Sequence, residues 1–92
     1  MSKTSGVTTN QILAQLEQQD FHCALTGIPL TPGNAQLDHI IPSRQGGEHT
    51  AKNVQILHED VNRMKGAMIE ADFIELCRQV VEHTNELKKQ RK

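Results

Sequence analysis

The sequence predicts an α+β domain, and three observations carry that prediction. Two short apolar runs, residues 36–41 and 53–57, have strand length and are separated by a polar loop containing Gly46-Gly47. A stretch with helical spacing of apolar residues follows directly on the second run, and a longer one closes the chain. A third short amphipathic segment stands near the start. The expected architecture is a hairpin and a helix at the centre, flanked by an N-terminal and a C-terminal helix.

Taken in order, residues 1–7 are polar and are expected to be disordered, leaving 8–92 as a single domain. Thr8, followed three residues later by Gln11, forms a capping box, and Ile12, Leu13 and Leu16 give a helix running to about residue 19. Gly27, Pro29, Pro32 and Gly33 mark turns. The run 36–41 reads as a strand stopped by Pro42, which has no N–H for a ladder. After the loop 43–52, residues 53–57 form the returning strand.

Glu59 and Asp60 suit the first turn of a helix, where acids complement its macrodipole. Val61, Met64 and Met68 supply its apolar side, and Gly66 weakens it. The last helix spans about 70–90, with Phe73, Leu76, Cys77, Val80, Val81, Thr84 and Leu87 on one face. That face is expected to cover the hairpin, with Cys77 in the core. A dimer interface is the alternative, so we expect a monomer, with a homodimer as the second reading.

A chain of 92 residues forms one domain that buries somewhat over ~60% of its accessible surface. Phe21 and Phe73 are the aromatic residues, so the core must come mainly from Leu, Ile, Val, Met and Ala. No apolar run is long enough to span a membrane, and the polar start lacks the apolar segment of a signal peptide. Two cysteines in that setting read as reduced thiols, so a cytoplasmic location and no membrane partner are expected.

A net charge of −1 is unlike that of a strongly basic nucleic-acid binder. The bases are unevenly placed, however. Arg44, Lys52, Arg63 and Lys65 surround the central segment, and Lys88, Lys89, Arg91 and Lys92 end the chain. The tail reads equally as a solvated helix end or as a phosphate contact.

The central segment carries the chemistry. It contains Leu37-Asp38-His39-Ile40-Ile41-Pro42, then Asn53-Val54-Gln55-Ile56-Leu57, then Asn62-Arg63-Met64-Lys65. Asn53 lies 14 positions after His39 (53 − 39), and Asn62 nine further on (62 − 53). Hydrolysis of a phosphodiester needs an activated water, charge neutralisation at the phosphoryl group and help for the leaving oxygen. Histidine titrates at about 6.5 in water, so an imidazole is largely neutral at cellular pH and suited to the first task.

This constellation resembles the HNH, or ββα-metal, nuclease motif in its H-N-N form, over roughly residues 23–66. The resemblance implies a metal-dependent endonuclease that hydrolyses DNA phosphodiester bonds by nicking or cleaving, with low sequence specificity. RNA stays open as a substrate. It implies His39 as general base, and Asp38 and Asn62 as ligands of one divalent cation. Two oxygen donors suit Mg²⁺ or Mn²⁺ better than zinc. Gly66 stands where some relatives place a further histidine ligand, so water and substrate are expected to complete the shell.

Neighbouring strand residues point to opposite faces. Asp38 and His39 therefore need a local bend to address one phosphate. By resemblance Asn53 is structural, bonding backbone across the loop. Lys65, on the helical face of Asn62, and more weakly Arg63, Lys52 and Arg44, are candidate phosphate contacts.

Many relatives surround the motif with a zinc ribbon of two Cys-x-x-Cys pairs. Here the corresponding stretches are Cys23-Ala24-Leu25-Thr26 and His58-Glu59-Asp60-Val61, so only Cys23 and His58 retain a ligand type. Structural zinc needs four such ligands and is not expected. Small relatives of this kind occur in phages and mobile elements. The competing reading is a catalytically silent nucleic-acid-binding or assembly module with the same fold.

Overall fold

The computed structural model describes residues 6–90, in the order α1 (Thr9–Gln18), β1 (Ala35–His39), β2 (Val54–His58), α2 (Glu59–Lys65) and α3 (Glu70–Gln90). The architecture is α+β, a two-stranded antiparallel sheet followed by a helix, with a helix on either side. Most of the expectation for residues 1–7, and Arg91 and Lys92 of the basic tail, lie outside the described residues. No described helix is long and apolar enough to cross a membrane.

The capping box at the start of α1 forms in both directions, with the Thr8 N–H donating to Gln11 Oε1 at 2.9 Å and the Gln11 N–H to Thr8 Oγ1 at 3.1 Å. Beyond α1 the chain reverses through Asp20 and Phe21, both at positive φ. The Gln19 side chain then reaches the outer edge of β2. Its amide nitrogen donates to the Ile56 carbonyl at 2.8 Å, and its oxygen accepts from the Ile56 N–H at 3.0 Å. At Ile56 this glutamine makes the pair of bonds that a third strand would make, and the Ala24 N–H donates to the same carbonyl at 3.2 Å, so that peptide is paired rather than orphaned.

The strands pair with Asp38 opposite Gln55 and His39 opposite Val54. β1 stops at His39, two residues before the expected end, because the Ile40 and Ile41 N–H groups turn to the Asn53 backbone and side-chain oxygens. Val54 through Leu57 are all buried, so β2 is covered on both faces. Cys23, Leu57, Val61 and Phe73 form the core, with Leu25, Leu30, Met68 and Cys77 packed around it.

His58 caps α2, its Nδ1 accepting from the Asp60 N–H at 3.1 Å. Gly66, at φ 55°, ends that helix rather than weakening its interior. Met64 departs from expectation, being 68% exposed.

The larger correction concerns α3. Its first turns reach the core through Phe73 and Cys77, but Val80 and Val81 stay 56% and 57% exposed. A helix of 21 residues is about 32 Å long, and much of this one extends beyond the hairpin instead of covering it. The molecule measures 63 × 28 × 18 Å in consequence. Local pairing supports the projecting part. Arg78 donates to Glu75 at 2.7 Å and to Glu82 at 2.8 Å, and the Arg78 and Gln79 hydrogen bonds hold the Glu75 carboxyl at about 2.

Candidate active site

Asp38, His39 and Asn62 line one open cleft of about 290 Å³, together with Ser43, Arg44 and the Gly66 turn. The bend expected between Asp38 and His39 comes instead at Ile40, after both residues have paired in the strand. Asp38 is buried and His39 half-buried, yet both border the same space.

The loop that follows His39 is clamped by Asn53. Its Oδ1 accepts from the Ile41 N–H at 3.0 Å, and its Nδ2 donates to the Ile41 carbonyl at 2.9 Å and the Glu48 carbonyl at 2.8 Å. One side chain therefore satisfies backbone groups on both sides of the loop. At about 1 kcal/mol per bond, discounted for water replacing some of them, Asn53→Ala should destabilise the protein by about 2 kcal/mol. Thermal unfolding by circular dichroism measures this. An unchanged midpoint would show that the clamp contributes no stability.

Gly47 packs onto the same clamp. A Cβ placed there would stand 1.6 Å from the Ile41 carbonyl oxygen and 2.9 Å from Asn53 Nδ2. Gly47→Ala must therefore push the loop off the strand end, at a cost of about 1–3 kcal/mol. The same melting experiment detects it, and Gly46→Ala separates this steric effect from strain, since Gly46 has open space around it but a φ of 90°.

Lys65 departs most from its expectation. Its side chain is 0% exposed, and Nζ donates to Asp38 Oδ1 at 3.1 Å and to the His39 carbonyl at 2.9 Å. It shares the helical face of Asn62, but its stem runs inward and puts the ammonium under the strand. The correction is that its charge goes to Asp38 and not to the open cleft. Asp38 Oδ2 accepts from Gln55 Nε2 at 3.0 Å, and the same amide donates to Glu70 Oε1 at 2.5 Å. Every buried polar side-chain atom among the described residues has a partner.

The remaining bases are exposed. Arg44 borders the cleft, Lys52 lies on the turn before β2, and Arg63 is 3.1 Å from Asp60. Arg44 is thus the cation of the set best placed toward the cleft.

Cys23 belongs to the core and His58 to the α2 cap. Burial pushes the Cys23 thiol up, but hydrogen bonds from Thr26 and nearby backbone outweigh that and leave it below its ordinary range. Thr26 and Val61 hold the other two ribbon positions with side chains that are not zinc ligands.

Three participants escaped sequence reasoning. Gln55 carried a signal, as a polar residue inside an apolar run that antiparallel pairing places opposite Asp38. Glu70 and His49 carried none, since their positions depend on how loops fold.

A strand hairpin feeding a helix, with an acid, a histidine and an asparagine around one cleft, defines the ββα class of nucleases. Residues 22–68 match the HNH endonuclease family model, just over half of the chain, and the chain belongs to that family. A stretch of 52 residues, 55% of the chain, is 35% identical to the CRISPR-associated endonuclease Cas9 of Corynebacterium diphtheriae. That stretch is 5% of the relative's length, so the likeness concerns one small part of a much larger protein.

HNH nucleases usually use a divalent metal ion. The residues here fit one. Asn62 donates its Nδ2 to Gln36 Oε1 at 2.7 Å, which leaves its Oδ1 as the end available to a cation. Each Asp38 oxygen accepts one hydrogen bond and retains a further lone pair. No group of three or more His, Cys, Asp or Glu side chains is gathered for a metal among the described residues. Asp38 and Asn62 would offer a divalent cation oxygen donors, with water left to fill its other positions.

Proposed function

We propose that this chain is a metal-dependent endonuclease that hydrolyses DNA phosphodiester bonds with low sequence specificity. The observation that carries this reading is the convergence of His39, Asp38 and Asn62 on one open cleft beside Arg44. His39 takes the proton of the water that attacks phosphorus, and Arg44 draws the phosphate into the cleft. Asp38 and Asn62 would hold one Mg²⁺ or Mn²⁺. When bound, that ion supplies charge neutralisation at the phosphoryl group and eases departure of the 3′ oxygen. Lys65 and Gln55 hold the Asp38 carboxylate in a fixed orientation. The chain acts as a monomer on this reading, and its products carry 5′-phosphate and 3′-hydroxyl ends.

A second reading, a silent nucleic-acid-binding module, is favoured by the buried Lys65 ammonium already neutralising Asp38. An end-labelled DNA duplex incubated with Mg²⁺, Mn²⁺ or chelator separates the two. Metal-dependent fragments with 5′-phosphate ends are expected. Binding without fragments across the metal series would favour the silent module, and parallel incubation with RNA tests the substrate class.

A further inference from the structure

In the loop between the strands, ten residues beyond His39, the ring of His49 stands against that of His39. Nε2 of His39 and Nδ1 of His49 are 2.8 Å apart, with ring centroids 5.0 Å apart and planes at 43°. In a neutral pair at this distance, one nitrogen must donate and the other accept. The choice decides what His39 can do. If His49 donates, the hydrogen of His39 resides on Nδ1, and neither of its nitrogens has a lone pair left for water. If His39 Nε2–H donates, Nδ1 keeps its lone pair, and among the described residues no protein group occupies it.

We infer that His49 is a positioning residue for His39, accepting the Nε2 hydrogen and so fixing both the ring orientation and the tautomer with Nδ1 free. The inference rests on the nuclease reading of His39. The loop is held for this task, because the Asn53 side chain donates to the carbonyl of Glu48, the residue immediately before His49. A base whose far nitrogen is tied down meets its water in one orientation rather than several, which is how second partners of catalytic imidazoles act. His49 is itself exposed, and among the described residues its side chain bonds to His39 and not to Asp38 or Asn62, so its loss need not disturb folding.

The test uses wild-type protein, His49→Ala and His49→Gln. Glutamine keeps an acceptor, whereas alanine removes it. Plasmid nicking gives kcat and KM, and nitrogen-15 NMR of the His39 ring gives its tautomer. The wild type is expected to show a protonated Nε2 and a bare Nδ1. His49→Ala should mix the tautomers and lower kcat by about tenfold, the equivalent of one hydrogen bond, with KM for DNA unchanged. His49→Gln should recover part of both. An active wild type with an unaltered kcat in His49→Ala, or a wild-type hydrogen on Nδ1, overturns the inference alone. Wild-type protein no more active than His39→Ala removes the nuclease reading, and the inference with it.

Discussion

Asp38→Ala is expected to destabilise the protein by about 3–5 kcal/mol, which in a chain of this size is a fall in melting temperature of more than about 10 °C. A carboxylate acting only as a metal ligand at a cleft would cost metal affinity when removed and little else. Here the Asp38 carboxylate is 5% exposed and faces an ammonium that is 0% exposed. Removing it leaves Lys65 as a buried charge whose one remaining partner among the described residues is the His39 carbonyl. Two charges in one buried pair compensate each other, and the penalty falls on whichever is left alone.

Asp38→Ala combined with Lys65→Met should therefore recover much of the lost stability while remaining inactive. Urea melts of the wild type, both single variants and the double variant form a double-mutant cycle. A coupling energy near zero would show that the pair does not hold the strand to α2.

His39→Ala is expected to lose about 10²–10⁴-fold in turnover, the usual contribution of a positioned general base. Folding should survive, because the half-buried His39 ring makes one side-chain hydrogen bond, to His49, among the described residues. DNA affinity should change little, since on the proposed reading phosphate attraction comes from Arg44, Lys52 and Arg63. The signature is thus a collapse of kcat with intact melting and binding. A variant that loses binding and turnover together would make His39 a DNA contact instead of a base.

What could be read from the sequence was what depends on neighbours in the chain. The Thr8–Gln11 capping box is such a local event, whereas the first strand ends at His39, short of Pro42, because Asn53 from across the loop takes the next two N–H groups. The convergence of Asp38, His39 and Asn62 was legible through the resemblance, because motif spacing encodes a hairpin and a helix. Periodicity was less informative for α3. It reports that a helix has an apolar face but does not say whether another element reaches it, and beyond Cys77 most of that face stays exposed. Lys65 shows a related limit. Its spacing placed it correctly beside Asn62, but a four-carbon stem can carry the charge either outward or beneath the strand, and a buried carboxylate drew it beneath. His49 required the folded loop itself, since the nine residues between it and His39 set no fixed distance.

The most direct measurement is nicking of supercoiled plasmid by wild-type protein and His39→Ala, purified identically and assayed side by side across Mg²⁺ and Mn²⁺. Wild-type protein is expected to convert supercoiled plasmid to the open-circular form with either metal, and His39→Ala to leave it supercoiled. Equal cleavage by the two proteins, or none by either while both bind DNA, would contradict the assignment of the cleft as a nuclease active site.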